Sequence, residues 1–435
     1  MHEGLWSGRR LHFVGIGGAG MSGLAIVARA LGAEVTGSDR APDSPYLARS
    51  GLTAVAHDAA NVPDGAEVVY SSAIPADNPE RAAARERGLR ELHRADLLGE
   101  ITRLRPTIAV TGTHGKTTSS SMVVHALRGC GMDPGYLVGG EVRSTGSNAG
   151  WGTGEWLVVE ADESDRSLLK LAPRIAVLTN AELDHHATYA SQRDVDETFR
   201  AFLAMADEVV LGDEPALTRF PGRVARPEGV ELSPGGSRFS VDGVPVALPV
   251  PGAHNARNAA AALAACALAG ADPAAAAAAL ADFGGAGRRF EEVGRTAAGA
   301  LVVDDYAHHP TEVRATIAAA RTLAPRRVVA VFQPHLFSRT RHQYREFGAA
   351  LAAADLVAVL DVYPAREDAA DHPGVTGRLV AAAAADAAGG RTVAWLPGFD
   401  EAERWLRGEL RDGDLLLTLG AGDVDALGRR LVAGS

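Results

Sequence analysis

Residues 108–121 read IAVTGTHGKTTSSS, a β-branched apolar run followed by glycines and then by a Lys-Thr-Thr that begins a helical pattern. A strand that breaks at glycine and re-enters as a helix aims backbone N–H groups and the positive end of the helix at one point, and that arrangement cradles a polyphosphate. In such a loop Lys116 reaches the β- and γ-phosphates of ATP, and the hydroxyl of Thr117 or Thr118 sits on Mg²⁺. The spacing departs from GxxxxGK[ST]: Val110 stands where the first glycine belongs, leaving Gly112 and Gly115. The competing reading is a plain strand-turn-helix.

The chain has 435 residues and a net charge of -11. Domains of about 100–200 residues imply two to four units, and three can be drawn. The acidic balance argues against a general nucleic-acid or membrane-surface binder, both of which require a basic face. No stretch approaches the roughly 18 unbroken apolar residues that span a bilayer, and the opening MHEGLWSGRRLHFVGIGG lacks the apolar core of a secretory signal. The expectation is a cytoplasmic protein whose two cysteines, Cys130 and Cys266, are buried thiols. The sequence leaves monomer and homodimer equally open.

Strand and helix patterns alternate from the first residues. Strands are expected at 11–14, 34–38 and 68–71, with a helix at 21–31. Such alternation implies a mostly parallel sheet covered on both faces. A boundary is placed near Pro106, giving a first unit of 1–105. The second, 106–286, starts with the phosphate loop, includes strands at 156–160 and 175–179, and ends on helices at 256–268 and in the alanine-rich 274–280. Glycines 284, 285 and 287 suggest a hinge. The third, 287–435, has strand patterns at 300–303, 327–332, 356–360, 392–395 and 415–418. The fold class is therefore α/β in three domains, two Rossmann-like units flanking a P-loop ATPase-like one.

The turn GIGGAG places Gly15, Gly17 and Gly20 after a strand and before a helix, with Asp39 about 20 residues on. Three glycines give close backbone approach to a diphosphate, and a UDP-sugar carries one as surely as NAD does. Ser71 and Ser72, at the end of a strand, lie where an open sheet binds its ligand; a solvated turn is the plain alternative. In VVEADESD, Glu160 continues an apolar strand to its carboxyl end, where a carboxylate for Mg²⁺ is expected. Asp162, Glu163 and Asp165 read as solvated turn residues. LTNAELDHHATY repeats the layout with Asn180, Asp184, His185 and His186, and adjacent histidines cannot share one role.

GIGGAGMSGLA, TGTHGKTT, EADESD, TN followed by DHH, PGAHNARNAAAA, GRRFE and DDYAHHPTE, in this order, make the chain resemble the Mur ligases of peptidoglycan synthesis, in particular the alanine-adding branch. The resemblance runs from about residue 11 to 422. It implies an enzyme that uses ATP and Mg²⁺ to activate the lactyl carboxylate of UDP-N-acetylmuramate as an acyl-phosphate, which L-alanine then attacks. By similarity, Lys116, His185 and Arg289 are catalytic. Gly112, Thr113, Gly115, Lys116, Thr117, Thr118, His254, Asn255, Asn258, Arg289, Asp305 and Tyr306 hold ATP. Gly17, Gly18, Asp39, Ser71, Ser72 and His114 hold the UDP-sugar. Thr117, Glu160 and His185 serve metal, and His308, Arg339 and Arg341 the amino acid.

Two departures from the family pattern stand out. Phe199 and Arg200 occupy the region where several relatives carry a lysine carbamate, so none is expected. Leu336 in PHLFSRTR replaces an arginine, which passes any amino-acid role to Arg339 or Arg341. The alternatives to be separated are a recycling ligase that adds a tripeptide to the same nucleotide and, from another class, a nicotinamide-dependent oxidoreductase.

Overall fold

A computed structural model describes residues 4–48 and 50–434. Strands β1 (Arg10–Val14), β2 (Glu34–Ser38), β3 (Glu67–Tyr70) and β4 (Glu91–His93) form a parallel sheet ordered β2-β1-β3-β4. Leu11, Phe13 and Val14 are buried because the sheet is covered on both faces. The helix Ala19–Ala30 leaves β1 through the glycine turn. The chain then crosses to β2 on one side of β1 and to β3 on the other, so a crevice opens at the carboxyl ends of the strands.

The second sheet contains β5 (Thr107–Thr111), β6 (Gly135–Val142), β7 (Ser147–Gly150), β8 (Leu157–Glu160), β9 (Ile175–Leu178), β10 (Glu208–Leu211) and β11 (Arg223–Val224), ordered β11-β10-β9-β5-β8-β6-β7. Every residue of β5 is buried, as befits a central strand. Val110 lies opposite Glu160 on β8, and Thr111 opposite Leu178 on β9. That register brings the phosphate loop, the EADESD segment and the DHH segment out side by side at one edge. The helix Ala253–Leu268 packs on the phosphate-loop helix Lys116–Gly129, and its buried face includes Ala256 and Ala259 to Ala262, small enough for close approach. The alanine run forms the helix Pro273–Ala279, as the propensity of alanine predicts.

An antiparallel sheet of β12 (Glu228–Ser233), β13 (Gly236–Val241) and β14 (Val244–Leu248) interrupts this unit. The sequence reading missed it; its signal was the Asp-Gly turn, where Asp242 and Gly243 both take positive φ. The third sheet runs β15-β16-β20-β17-β18-β19, with β15 (Glu291–Arg295), β16 (Leu301–Asp305), β17 (Arg327–Phe332), β18 (Leu356–Val359), β19 (Val393–Trp395) and β20 (Asp414–Leu419). All its pairs are parallel except β15 on β16. The molecule is thus a three-domain α/β protein with two Rossmann-like sheets around a P-loop-like centre. Cys266 is buried as expected, whereas Cys130 is only partly covered.

Phe199 sits fully buried in the helix Gln192–Leu203, edge-on to Phe220 with ring centroids 6.4 Å apart. It fills core space and does not face the cleft. Phe199→Ala should cost about 3–5 kcal/mol in chemical denaturation of this domain, and a loss under about 1 kcal/mol would show that the site collapses around the void.

Candidate active site

Gly112 and Gly115 are required by geometry. Gly112 has φ 136°, and a Cβ there would stand 2.2 Å from Thr179 Oγ1; Gly115 has φ 78°, and a Cβ would stand 2.7 Å from Asn258 Oδ1. The loop is therefore pressed against the segment after β9 on one side and the helix Ala253–Leu268 on the other, with no room for a side chain at either glycine. Lys116 folds back over it, donating to the carbonyls of Gly112 (2.7 Å) and Thr113 (3.2 Å), and lies 2.8 Å from Glu163 Oε2. Burial opposes the charge on Lys116, but Glu163, Asp162 and Glu160 outweigh it and raise its pKa.

Thr117 Oγ1 donates to Glu160 Oε2 at 2.9 Å, and the Gly139 N–H donates to the same oxygen at 2.8 Å. A hydroxyl and a carboxylate converging beside a phosphate loop are the hard oxygen donors that Mg²⁺ takes. Thr118 lies one residue on and lines the neighbouring cavity. His185, at φ 52°, brings its Nε2 within 3.3 Å of Glu163 Oε1. His186 faces elsewhere, its ring 4.5 Å from that of His342, so the two histidines do have separate environments.

The reading of Asp162, Glu163 and Asp165 as solvated turn residues does not hold. Glu163 is buried between Lys116 and His185. Asp162 and Asp165 each accept from Arg94 of the first domain at 2.9 Å, and Arg94 keeps the Asp162 carboxyl well below the usual range despite burial. Arg94 was not singled out in the sequence, because nothing local marks a residue whose partners lie about 70 positions away.

From the third domain, Arg289, Asp305 and Glu312 reach the cavity that His254, Asn255 and Asn258 line. The Arg289 guanidinium lies over the Tyr306 ring at 5.1 Å. Burial pushes Asp305 up to about 6 and His254 down to about 4. Burial also pushes His308 down to about 3; its Nδ1 lies 2.9 Å from the Tyr306 carbonyl and so carries the proton, leaving Nε2 with a lone pair.

Several residues assigned to substrate by similarity have other surroundings in this structure. His114, expected on the UDP-sugar, is held instead between Glu182 (Nε2 to Oε2, 3.5 Å) and Glu312 (Nδ1 to Oε1, 3.6 Å), because its loop faces the third domain. Arg339, expected on the amino acid, is buried in a two-pronged pair with Asp184, both contacts at 3.1 Å, and Arg341 lies exposed on the helix Phe337–Leu351. Leu336 is buried at φ 70° and presents no charge. Ser71 lines the glycine-turn crevice, but Ser72 turns to His93 (3.1 Å) and Asp165 (3.2 Å).

Gly17, Gly18 and Asp39 line that crevice together. Asp39 Oδ2 accepts from the Gly17 N–H at 2.8 Å, so a diphosphate that uses this N–H displaces the carboxylate. Glu312, missed in the sequence, had a signal: with His309 it forms the capping box of the helix Pro310–Thr322.

His114, Glu182 and His309 cluster closely enough to suggest a metal, but an ion bridge fits better. Burial disfavours a charged His114, yet Glu182 and Glu312 outweigh it and push its pKa from 6.5 up to about 9. A raised folded-state pKa gives stability that is complete below pH 6.5 and lost as pH rises through about 9. The flanking Glu182, at about 2, and His309, at about 4, titrate below that window. The melting temperature should therefore fall between pH 6.5 and 9, with a flatter slope in His114→Gln; equal slopes in the two proteins would contradict the bridge.

Comparison with known proteins places this geometry in a family. Residues 10–105 match the Mur ligase family catalytic domain, 110–266 the Mur ligase middle domain, and 288–422 the Mur ligase glutamate ligase domain. The UDP-N-acetylmuramate–L-alanine ligase of Kineococcus radiotolerans is 48% identical, over 96% of this chain and 94% of that protein. The corresponding ligase of Thermobifida fusca is 44% identical over 97% and 96%. Among solved structures, the UDP-N-acetylmuramate-alanine ligase of Thermotoga maritima superposes with a TM-score of 0.83 at 30% identity, covering 98% of each chain. A murein peptide ligase from Psychrobacter arcticus gives 0.71 at 25%, with the same coverage. The chain belongs to the Mur ligase family.

Proposed function

We propose that this protein joins L-alanine to the lactyl carboxylate of UDP-N-acetylmuramate at the expense of ATP, in the cytoplasmic assembly of peptidoglycan precursors. The observation that carries this reading is one continuous cleft of about 560 Å³. It runs from Ala19 at the glycine turn, past Lys116, Thr117, Glu160 and His185, to Arg289, Tyr306 and His308. A site reaching all three domains suits three substrates better than the single hydride partner of an oxidoreductase. The names of the relatives, at 44–48% identity over nearly the whole chain, support L-alanine as acceptor.

In this reading residues 1–105 bind the UDP-sugar, 106–286 bind ATP, and 287–435 close over it and present the amino acid. Lys116 leaves Glu163 for the γ-phosphate, and Arg289 meets the same charge from the third domain. Thr117 and Glu160, with His185 nearby, hold Mg²⁺, which when bound neutralises phosphate charge. A lactyl carboxylate oxygen displaces ADP from the γ-phosphorus, giving an acyl-phosphate. The amine of alanine then attacks the acyl carbon, phosphate departs, and the nitrogen sheds a proton. His308, neutral and with its Nε2 lone pair free of the Tyr306 contact, is placed to take that proton. Closure of the third domain keeps water from the acyl-phosphate.

With ATP, Mg²⁺ and UDP-N-acetylmuramate present, L-alanine should give stoichiometric ADP and amide. The tripeptide L-alanyl-γ-D-glutamyl-diaminopimelate should compete poorly, and preference for it would establish the recycling reading instead. Lys116→Ala should lower kcat by about 10²–10³-fold while leaving UDP-sugar affinity within about threefold; equal losses in both would remove Lys116 from the phosphoryl step.

A further inference from the structure

A carboxylate with no role in that chemistry lies beneath the nucleotide end of the glycine-turn crevice. Glu80 is fully buried at the start of the helix Pro79–Glu86. Its Oε1 accepts from Asn61 Nδ2 at 2.9 Å, and His12 Nε2 stands 3.5 Å away. Its Oε2 accepts from the hydroxyl of Ser38 and lies 3.2 Å from His57 Nδ1. Ser38 Oγ and His57 Nδ1 are themselves 2.8 Å apart. Burial alone would raise the Glu80 carboxyl, but its donors, His12, Ser38 and Asn61, bring it down to about 2, so it is an anion and can only accept.

That fixes the protons. Ser38 spends its hydrogen on Glu80, so the contact between Ser38 and His57 needs its hydrogen from Nδ1 of the imidazole. With Nδ1 protonated, the imidazole presents its lone pair at Nε2. Fold topology explains the placement: Ser38 ends β2, Val55 bridges to Ser38, and His57 follows two residues later at the rim of the crevice. Its side chain is 14% exposed, against 0% for Glu80.

The crevice has a direction. One end holds Arg94 and Asp162, which adjoin the phosphate-loop carboxylates, and the reacting carboxylate of the substrate must reach that end. A diphosphate on the glycine turn then sends the nucleoside the opposite way, toward Asp39, Ser44 and His57.

We propose that His57 reads the base of the bound nucleotide through an accepting Nε2, and that Glu80, acting through Ser38, is the positioning residue that fixes this polarity. Uracil offers a donor at N3–H, whereas cytosine presents a lone pair at N3, which an accepting nitrogen repels. The selection of uridine over cytidine thus originates in a carboxylate that never touches the ligand. This proposal rests on the reading of the crevice as a UDP-sugar site.

Calorimetric binding of UDP and CDP tests both levels separately. Wild-type protein should prefer UDP by tenfold or more. In His57→Ala the preference should shrink to within about threefold, with UDP affinity reduced and the KM for ATP changed less than twofold. In Glu80→Gln the new amide can donate to Ser38, which then donates to Nδ1 and leaves Nε2 protonated. CDP should gain relative to UDP in that variant, while Glu80→Asp should retain the wild-type order. A general folding defect would weaken UDP, CDP and ATP together and leave the UDP to CDP ratio unmoved. Such an unmoved ratio in a His57→Ala protein that still binds UDP would overturn the role of His57 and leave the ligase reading standing. Failure of the wild type to bind UDP at all would overturn both.

Discussion

Burial works against the charge on Lys116, and three carboxylates keep it there. Glu163 touches the ammonium, while Asp162 and Glu160 add to the field. Glu163 is shared with His185, Asp162 with Arg94 of the first domain, and Glu160 with Thr117 and the Gly139 N–H. One short segment, from the end of β8 onward, thereby fixes the lysine, holds Thr117 and ties down the first domain. A triphosphate entering this site brings anionic charge that competes with Glu163 for the lysine.

The third domain approaches through polar groups. Thr311 donates to Glu182 at 2.7 Å, His114 lies between Glu182 and Glu312, and Arg339 grips Asp184. Each of these contacts joins the phosphate loop or the segment after β9 to an element of the third domain. Charged contacts exchange with water at modest net gain, while truncating one partner of a buried pair leaves an uncompensated charge. Such an interface specifies one arrangement of the two domains. Arg339, buried and committed to Asp184, belongs to this interface.

Local chemistry made much of the plan legible. The apolar runs of β1, β5, β8, β9 and β17 announced the strands, and Gly-Lys-Thr-Thr announced the helix that begins at Lys116. The order of motifs announced the family. Contacts between residues distant in sequence left no local trace. Glu163 looks like any acid in an acidic turn until the fold buries it under Lys116, and Arg94 looks like an exposed helix start until Asp162 and Asp165 meet it. The contact of His114 with Glu312 was not foreseen either, because loop composition does not say which domain the loop faces. The antiparallel hairpins of β12 to β14 were missed for a different reason: their edge strand is wholly exposed, so it carries no hydrophobic run.

In the proposed reaction the lactyl carboxylate attacks the γ-phosphorus in a cleft built by Lys116, Thr117 and Glu160. Its most direct test follows oxygen. UDP-N-acetylmuramate labelled with ¹⁸O in the lactyl carboxylate should transfer one label to the inorganic phosphate released with each amide formed, read by mass spectrometry of that phosphate. Unlabelled phosphate accompanying labelled amide would mean that no acyl-phosphate forms, and would exclude the proposed reaction.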